Sequence, residues 1–538
     1  MAVSDLPTAQ QSSKTLRLRV YRYRRADGGE HFDEHEIPVG SLTTLLEALR
    51  WVQLHRDPTL SLRHSCMHGS CGTCGVRVNG RDELACVCAL ADHGDEITIE
   101  PLANLPVLTD LVVDMNPFFD RFCEPHPIIR VSETPAASPA SDGGEPFVRL
   151  EDCIECGLCL SACPVATGFV GPAALSAAQR LLEEPRGSER EDVLSWVSRP
   201  EGVWQCTTCM ACVEACPVGI ESVPTIIDMR RNLVDQGDLD PLLTQTLQKF
   251  ATQGNSYGKS ARMRARWTKP LDFSIPDARK EAVRYLWFVG DYASFDERVQ
   301  HESQRLAGIL HDAGVSFGLL FEGERNAGND VRRVGEEGLF EMLVEHNMKT
   351  LREAQFEAIF TTDPHSLNTL RNEYPKYGLD KPVYHYTELL VDLASQGTIT
   401  LRPTLLGTRV TYHDPCYLAR YNRITDAPRR LIEATGAELF EMPRHGTNTF
   451  CCGAGGGRIW MGESEVDERP SEQRIREAQA LDGIEYFVVS CPKDLAMYSA
   501  AALTVGGVQF EVVELTELVA RALDPRRPTG AEARVVPA

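Results

Sequence analysis

The stretch "CTTCMACVEACP" spans Cys206 to Pro217, and the same cysteine spacing occurs 53 residues earlier as "CIECGLCLSACP", from Cys153 to Pro164. Both copies read C-x2-C-x2-C-x3-C-P. In proteins with two 4Fe–4S clusters, three cysteines of such a run bind one cluster and the fourth cysteine binds the other. The repeat therefore predicts a two-cluster ferredoxin-type domain.

The same rule assigns ligands to the two predicted clusters. The expected ligands are Cys153, Cys156, Cys159 and Cys216 for one cluster, and Cys206, Cys209, Cys212 and Cys163 for the other. Paired zinc knuckles are the alternative, but they would leave the fourth cysteine of each run unexplained. Two clusters that share ligand runs must lie close together, which suits electron transfer.

A third cysteine group precedes the repeat, in "RHSCMHGSCGTCGVRVNGRDELAC". Its C-x4-C-x2-C spacing, with one more cysteine after a predicted hairpin turn at Asn79–Gly80, is typical of plant-type 2Fe–2S sites. Gly69 and Gly72 let the loop backbone approach the sulfurs, whereas a structural zinc site more often has two C-x2-C pairs. Cys88 is expected to be an ordinary buried thiol. The predicted ligands are Cys66, Cys71, Cys74 and Cys86.

Chain length, net charge and the apolar segments of the sequence exclude several classes of protein. A chain of 538 residues is too long for one core, and a net charge of −22 does not suit a nucleic-acid-binding protein. The N-terminal stretch "MAVSDLPTAQQSSK" lacks the apolar region of a secretory signal, and no segment has the roughly 18 consecutive apolar residues of a membrane helix. We therefore expect a cytoplasmic protein that is peripheral to a membrane only through partner subunits. In that compartment cysteines serve metals rather than disulfides.

The order of the motifs predicts a multidomain fold. We expect a β-grasp 2Fe–2S ferredoxin domain, then an α-helical two-cluster ferredoxin domain, then an α/β duplicated domain. The linker is most marked in "ETPAASPASDGGEP", which is rich in Pro, Ser, Gly and Ala. The predicted boundaries are 14–105 for the first domain, 106–146 for a linker, 147–265 for the helical domain, 280–400 and 401–525 for the halves of the last domain, and 526–538 for a tail.

The C-terminal half has a cysteine pattern of its own. Cys416 precedes Cys451 by 35 positions, Cys452 follows directly, and Cys491 comes 39 positions later. The segments "HDPCYLARY", "FCCGAGGG" and "SCPKD" resemble the cysteine-rich CCG domain of heterodisulfide reductases and related electron-transfer subunits. In that family the motif is duplicated and can bind a non-cubane 4Fe–4S cluster. Here Asp494 stands where the last cysteine belongs.

The first copy of this motif has lost its cysteines, so we expect it to be free of metal. The residues at the corresponding positions are Asp291, Asn326, Ala327, Asp363 and Ser366. For the second copy three interpretations stay open: a cluster on its four cysteines, with Asp494 as an additional ligand, a lone zinc ion, or a docking scaffold. The glycines of "CCGAGGG" favour a binding site because they leave the backbone accessible. His413 is expected to be a packed residue rather than a ligand.

Residues 14–235 resemble the iron–sulfur subunit of succinate dehydrogenase and fumarate reductase. The resemblance rests on "RHSCMHGSCGTC", "NGRDELAC", "LPVLTDLVVDMNPFF", "FVGPAALSAAQR" and both four-cysteine runs. It implies a partner, a FAD-containing flavoprotein subunit that interconverts succinate and fumarate. It also implies transfer of electrons to quinone through a membrane anchor or another quinone-reactive subunit.

Two departures from that family concern the last cluster. Its third centre is usually 3Fe–4S because the second ligand position is not a cysteine, whereas Cys209 fills it here and predicts a 4Fe–4S cluster. The family's tryptophans after the first Cys-Pro are replaced by "VATGFV", and Thr207 replaces a histidine. We therefore do not expect the usual quinone pocket.

The leading functional hypothesis is an electron-transfer subunit of a succinate/fumarate oxidoreductase of the tricarboxylic acid cycle type. The flavin chemistry would reside on another subunit, because the chain has no GxGxxG dinucleotide fingerprint. Fusion to a CCG domain resembles the thiol:fumarate reductase iron–sulfur subunit of methanogens. The alternatives are a subunit that serves lactate, glycolate or acyl-CoA dehydrogenases, a thiol:fumarate reductase, and a non-catalytic scaffold.

Overall fold

The computed structural model describes residues 15–523 apart from 25–28, 41, 123–149, 184–189, 463–465 and 467. The predicted linker segment 133–146 and the predicted tail 526–538 lie outside these residues. The chain divides into two compact units, of which the first comprises Met1–Cys206 and Met210–Met229. The second unit comprises Thr207–Cys209 and Arg230–Ala538, so a short piece of the second four-cysteine run belongs to it.

A five-stranded mixed sheet opens the first unit. Its order is β2-β1-β5-β3-β4, with β1 antiparallel to β2 and parallel to β5. Alternate residues of β1 are buried, as expected for a strand with one face against a core. The strands are β1 Thr15–Arg24, β2 Gly29–Pro38, β3 Gly75–Val78, β4 Arg81–Leu84 and β5 Glu96–Glu100.

One helix, Leu45–His55, packs on this sheet. It begins with a capping box, in which the Thr44 side chain accepts a hydrogen bond from the Glu47 amide and the Glu47 side chain bonds back to the Thr44 amide. The predicted hairpin turn also forms, with positive φ angles of 50° at Asn79 and 79° at Gly80.

The chain after this sheet differs from the predicted linker, which was expected to start at residue 106. A short hairpin, β6 Val107–Thr109 with β7 Val112–Val113, is followed by the helix Asn116–Phe119. Leu111 and Phe118 are buried, so apolar packing holds this segment in place. The linker prediction was therefore wrong for this part.

Helices dominate the rest of the first unit, as predicted. Each four-cysteine run forms a one-turn helix that starts after a residue with positive φ, Gly157 at 78° and Met210 at 65°. The boundary between the two units falls within the helix Ser222–Asp235. The helices of this part are Leu158–Ser161, Pro172–Glu183, Arg190–Ser198, Ala211–Glu214 and Ser222–Asp235, and the helix Pro241–Gln253 follows in the second unit.

The second unit contains two four-stranded parallel sheets. The first has the order β11-β10-β8-β9. Its strands are β8 Tyr285–Trp287, β9 Phe317–Gly318, β10 Ala358–Thr361 and β11 Val383–His385. The helices between and beside them are Asp291–Phe295, Glu297–Asp312, Asn329–Arg333, Glu337–Glu353, Pro364–Asn372 and Tyr386–Ser395.

The other sheet repeats this topology, with the order β13-β12-β14-β15. Each sheet places its first and third strands at the centre and its second and fourth strands at the edges, which confirms the predicted internal repeat. The strands are β12 Arg409–Tyr412, β13 Glu438–Leu439, β14 Tyr486–Val489 and β15 Glu511–Glu514. The helices are Cys416–Asn422, Asp426–Thr435, Pro470–Gln479, Pro492–Val505 and Leu515–Ala522.

Both halves contribute to one hydrophobic core. Trp287 and Phe360 of the first half and Tyr412 and Phe487 of the second are all buried in it. In the described part of the chain, no helix is long and apolar enough to span a membrane.

Candidate iron–sulfur centres

The loop from Cys66 to Cys74 directs backbone amides at sulfur atoms. The amide of Gly69 donates to Cys86 Sγ at 3.2 Å, and the amide of Ser70 donates to Cys66 Sγ at 3.3 Å. The amide of Cys66 itself lies 3.5 Å from Cys71 Sγ. Amides in this orientation stabilise thiolates that bind iron.

The thiols of this loop differ in acidity. Hydrogen bonds from backbone amides, first that of His68, lower the pKa of Cys66 to about 6. Burial raises the pKa of Cys74 to about 12, although a backbone amide of Cys86 opposes this. The side chains of Cys74 and Cys86 are hydrogen-bonded to each other. The four predicted 2Fe–2S ligands thus form one group of contacts.

The four predicted ligands of the first 4Fe–4S cluster line one cavity. Cys153, Cys156 and Cys159 line it together with Cys216 from the other run. Burial raises the pKa of Cys156 to about 11 and that of Cys159 well above its usual range. The amide of Ile220 donates to Cys216 Sγ at 3.2 Å. Four half-buried cysteines around one cavity, which Cys212 also lines, are a donor set that fits a 4Fe–4S cluster.

The two loops that carry these groups approach each other at Gly72. A Cβ atom at Gly72 would lie 2.8 Å from Cys156 Cβ and 2.9 Å from the carbonyl oxygen of Ile154. Its φ of +71° also lies in the left-handed region that other residues rarely adopt. Glycine at this position therefore permits the close approach of the two loops.

Asn104 fixes the end of the first four-cysteine run, a role that the sequence did not suggest. Its side-chain amide donates to the carbonyl oxygens of Leu160 and Ser161, both at 2.9 Å, and of Cys163 at 3.2 Å. It thereby satisfies carbonyls at the C-terminal end of the helix Leu158–Ser161.

The second predicted quartet is divided between the compact units. Cys163, Cys206 and Cys212 belong to the first unit, and Cys209 belongs to the second. All four side chains are buried.

Within the second unit, the helix Cys416–Asn422 holds the loop Thr207–Cys209. Arg420 Nη1 donates to the carbonyl oxygen of Cys209 at 3.0 Å, and the Tyr421 hydroxyl donates to that of Thr208 at 2.7 Å. The Tyr417 hydroxyl lies 2.9 Å from Thr208 Oγ1. These contacts were not predicted from the sequence, although the spacing of Tyr417, Arg420 and Tyr421 places all three on one helix face.

Arg420 is a buried cation, 4% exposed. Its other two donors, Nε and Nη2, bond to the carbonyl oxygens of Thr447 and Thr449, the former at 2.8 Å. It has no carboxylate partner within the described residues, and carbonyl oxygens compensate its charge. The arginine thus ties the Cys209 loop to the segment that leads into Cys451 and Cys452.

The cysteines of the second half form a chain of contacts that includes Cys209. Hydrogen bonds from the side chains of Cys209, Cys416 and Cys452 hold the pKa of Cys451 well below its usual range. The amide of Gly453 also donates to Cys451 Sγ at 3.3 Å. In return, hydrogen bonding to Cys451 and burial raise the pKa of Cys416 and of Cys452. Cys451 is therefore the preferred thiolate of this group.

Asp494 connects the fourth cysteine to this group. Its side chain is hydrogen-bonded to both Cys452 and Cys491, and burial raises its pKa to about 6. Its Oδ2 atom accepts no hydrogen bond from any described residue, and His413 Nε2 lies 3.6 Å away. Four buried thiols and a buried carboxylate with an unsatisfied oxygen are a donor set that fits a metal centre.

His413 is packed in the way that the sequence suggested. Its ring lies within hydrogen-bonding distance of Arg474 Nε at 3.3 Å and of the Tyr498 hydroxyl at 3.2 Å. Burial holds its pKa well below the usual range, so it is neutral.

The glycines of "CCGAGGG" have a different role from the one expected. A Cβ at Gly455 would lie 2.5 Å from the carbonyl oxygen of Thr207, and one at Gly457 would lie 2.3 Å from the side chain of Val334. These glycines admit neighbouring protein atoms, and Gly455 in particular admits the Cys209 loop.

In the first half, hydrogen bonds replace metal ligands. Asp291 Oδ2 accepts from Asn326 Nδ2 at 2.9 Å and from the Ser256 amide at 2.8 Å, and Asp291 Oδ1 pairs with Arg264 at 2.8 Å. Asp363 Oδ2 accepts from the Ser366 hydroxyl at 2.7 Å. These side chains satisfy one another through hydrogen bonds and an ion pair.

Comparison with known proteins agrees with this organisation. Residues 17–120 match the family described as a 2Fe-2S iron-sulfur cluster binding domain, and residues 149–220 match a 4Fe-4S dicluster domain. Residues 286–371 and 410–496 both match a cysteine-rich domain. The chain thus carries 2Fe–2S and 4Fe–4S centres, and its cysteine-rich domain fits a further iron–sulfur cluster.

Three relatives illustrate the range of similar proteins. The fumarate reductase iron-sulfur subunit of Escherichia coli O6:H1 is 34% identical over 40% of this chain and 91% of its own length. A subunit of the fumarate reductase (CoM/CoB) of Methanothermobacter marburgensis is 27% identical over 89% of this chain and 93% of its own. The EtfAB:quinone oxidoreductase of Syntrophomonas wolfei is 33% identical over 66% of this chain and 55% of its own.

The chain spans only 43% to 62% of the length of three relatives, of which the Syntrophomonas wolfei protein is one. A crystal structure of a hypothetical protein from Helicobacter pylori covers 97% of both chains with a TM-score of 0.61 and 12% identity, so it shares the fold. From the matched domains and the Escherichia coli relative, the chain belongs to the family of fumarate reductase-type iron–sulfur subunits, electron-transfer proteins of oxidoreductases, here joined to a duplicated cysteine-rich domain.

Proposed function

We propose that this chain is the iron–sulfur subunit of a succinate dehydrogenase/fumarate reductase-type complex. It would relay electrons between a FAD-containing flavoprotein subunit and a quinone or another acceptor. The observation that carries the proposal is the contact of Cys209 with the cysteine-rich half, through the hydrogen bonds of its side chain to Cys451 and of its carbonyl to Arg420. It ties the last cysteine run of the relay to a further candidate centre.

The ligand assignment follows from the spacing of the cysteines. We assign the 2Fe–2S cluster to Cys66, Cys71, Cys74 and Cys86, one 4Fe–4S cluster to Cys153, Cys156, Cys159 and Cys216, and the other to Cys163, Cys206, Cys209 and Cys212. When bound, these clusters supply one-electron transfer. We assign the fourth centre to Cys416, Cys451, Cys452 and Cys491, with Asp494 as the fifth ligand.

Arg420 would favour negative charge near Cys209 and Cys451. A buried cation in a medium of low dielectric constant stabilises nearby negative charge more strongly than an exposed one does. Hydrogen bonds and charges around sulfur are the means by which a protein sets cluster potentials. Arg420 contacts the Cys209 carbonyl directly, and its charge opposes the rise in the pKa of Cys416 that hydrogen bonding to Cys451 and burial cause. Its position suits a residue that draws electrons towards the cysteine-rich half.

The contacts of Thr207 support a route for electrons that differs from the usual transfer to quinone in this family. The side chain is buried, and its hydroxyl lies 3.5 Å from Cys451 Sγ. The carbonyl of the same residue packs against Gly455. The position where the family usually has a histidine near quinone is thus filled by a residue that contacts the cysteine-rich half. A quinone acceptor would then be reached through partner subunits, with the chain peripheral on the cytoplasmic face.

A second candidate is transfer of electrons from an electron-transferring flavoprotein to quinone. It is favoured by the 33% identity to an EtfAB:quinone oxidoreductase over 66% of this chain. A thiol:fumarate reductase is less favoured, despite the similarity over 89% of the chain to the methanogen subunit, because the first cysteine-rich half has hydrogen-bonded polar residues in place of ligands.

The experiment is anaerobic purification of the tagged chain from its own cells, followed by identification of the flavoprotein that copurifies. A FAD protein that oxidises succinate or reduces fumarate supports the first proposal. An electron-transferring flavoprotein, with acyl-CoA-dependent reduction of quinone, would select the second. Purification without any flavoprotein, at full cluster content, would contradict both.

A further inference from the structure

Three metal-binding side chains lie together outside the cysteines assigned above. Glu83, Cys88 and His93 each place a donor atom within 4.8 Å of the other two. Cys88 Sγ and His93 Nε2 are only 3.2 Å apart. Cys88 is buried, whereas the other two side chains are half-buried and accessible to solvent. The group spans one short segment and combines a thiol, an imidazole and a carboxylate.

The backbone holds this segment independently of the side chains. The amide of Cys88 donates to the carbonyl oxygen of Leu84 at 3.0 Å, which turns the chain after β4. The amide of Leu45 donates to the carbonyl oxygen of Cys88 at 2.9 Å, and Thr44 pairs with Ala89 in an isolated bridge. The three donor groups are therefore positioned by the fold before any metal is present.

Cys88 has different contact partners from the predicted 2Fe–2S ligands. Cys86 Sγ accepts the amide hydrogen of Gly69 and contacts Cys74, whereas Cys88 Sγ faces His93. The two thiols are only two positions apart in sequence but have different partners.

We propose that Glu83, Cys88 and His93 bind a divalent zinc ion. Sulfur, imidazole nitrogen and carboxylate oxygen are the donors that zinc prefers, and three protein ligands leave its fourth position for water. Zinc bond lengths of about 2.3 Å to sulfur and 2.0–2.1 Å to nitrogen separate tetrahedral sulfur and nitrogen ligands by about 3.6 Å. The separation of 3.2 Å between Cys88 and His93 needs an adjustment of a few tenths of an ångström.

Neighbouring charges suit a cation at this place. Asp92 adds negative potential at Cys88, and Glu83 acts on it in the same direction. Arg81 Nε, 3.6 Å from Glu83 Oε1, belongs to a side chain that is 49% exposed, so this ion pair is weak and competes little with a metal. Zinc has no redox chemistry, so it would take no part in electron transfer itself. It would fix the turn that carries Cys86.

The test is metal analysis of the holoprotein, purified anaerobically and dialysed against a weak chelator. We expect about one zinc per chain in the wild type and at least a tenfold loss in Cys88→Ala and in His93→Ala, with iron content and 2Fe–2S EPR signal retained. His55→Ala is the matched control, because that ring bonds to the carbonyl oxygen of Trp51 at 2.9 Å and stacks on the Trp51 ring. Cys416→Ala controls for zinc in the cysteine-rich half.

X-ray absorption at the zinc edge tests the wild type directly and does not depend on variants that fold. One sulfur neighbour with nitrogen or oxygen neighbours supports the site. A shell of three or four sulfurs, zinc that is lost in Cys416→Ala but kept in Cys88→Ala, or a holoprotein that retains no zinc after exposure to the metal would overturn it.

Discussion

Arg420 donates a hydrogen bond to the carbonyl oxygen of Cys209 at 3.0 Å, across 211 positions of sequence. The same guanidinium binds the backbone that leads into Cys451 and Cys452 through the carbonyl oxygens of Thr447 and Thr449. One buried cation therefore connects the Thr207–Cys209 loop to the segment that precedes Cys451 within the second unit. Replacement of Arg420 should therefore affect both the Thr207–Cys209 loop and the cysteine-rich half.

Arg420→Met should lower the midpoint potential of the cluster bound by Cys209, because a nearby positive charge that stabilises the reduced state is lost. The EPR signal of that cluster should then appear at more negative potential in a redox titration. Loss of three hydrogen bonds from a buried group should also cost about 2–4 kcal/mol of stability.

Arg430→Met is the control for Arg420→Met. Arg430 lies in the same half but its side chain is 52% exposed and pairs with an exposed Asp426. It should change neither the potential nor the stability measurably. An unchanged potential in Arg420→Met would show that Arg420 has no electrostatic role.

Asp494→Asn should remove the iron of the cysteine-rich half, because a neutral amide is a poor replacement for an anionic ligand. Wild-type chain should contain about fourteen iron atoms, and the variant about ten. Asp494→Cys should retain the iron with an altered EPR spectrum.

The control for Asp494 is Asp363→Asn, a buried carboxylate of the first half, at the position equivalent to Cys491. Asparagine can still accept the hydrogen bond from Ser366, so iron content should not change. Equal iron content and identical spectra in Asp494→Asn and wild type would exclude Asp494 as a ligand.

Gly72→Ala should separate the 2Fe–2S loop from the first 4Fe–4S loop. The added Cβ would meet Cys156 at 2.8 Å with a strained positive φ, at a cost of about 1–3 kcal/mol. Weaker spin–spin broadening between the two reduced clusters would report the separation. Gly94→Ala, where a Cβ meets no atom within 4 Å, should leave the EPR spectrum as it is. Equal spectra for both variants would contradict the close contact at Gly72.

Glu514 should make the second unit less stable at neutral than at acidic pH. Burial, and then the nearby Glu302, raise its pKa from 4.5 to about 7. The folded state therefore retains the proton that the unfolded state loses, so the stabilisation present below pH 4.5 disappears as pH rises through about 7. A shift of this size corresponds to about 3 kcal/mol.

Glu514→Gln should abolish that pH dependence, because glutamine does not titrate: its oxygen can accept from the Thr516 amide while its nitrogen donates to the Tyr386 hydroxyl. Unfolding midpoints between pH 5 and 8 test this, with the exposed Glu511→Gln as control. Parallel pH profiles for wild type and Glu514→Gln would contradict the raised pKa.

The local chemistry of the clusters was predictable from the sequence. Cysteine spacing reflects ligand geometry over a few residues, so the grouping of Cys216 with Cys153, Cys156 and Cys159 could be inferred before the fold was known. The internal repeat was visible as well, because Asp291 and Asn326 are as far apart as Cys416 and Cys451.

Contacts between distant segments were not predictable. The approach of Arg420 to Cys209 depends on tertiary packing, and nothing in the local sequence of either segment specifies it. The hairpin Val107–Val113 was not predictable for a different reason. Strands of two or three residues are too short to show an alternation of apolar and polar residues. Cys88 was predicted as a buried thiol and is buried, but its neighbour His93 became evident only from the turn between them.

The central claim is that this chain carries electrons for a flavoprotein that acts on succinate or fumarate. The most direct measurement is EPR spectroscopy of the complex purified with its flavoprotein, before and after anaerobic addition of succinate. We predict that succinate produces the signal of the reduced 2Fe–2S cluster and that fumarate abolishes it. We also predict that the oxidised sample lacks a 3Fe–4S signal, because Cys209 completes the last quartet. Cluster signals that respond to neither succinate nor fumarate, in a complex whose flavin and clusters are intact, would contradict the account.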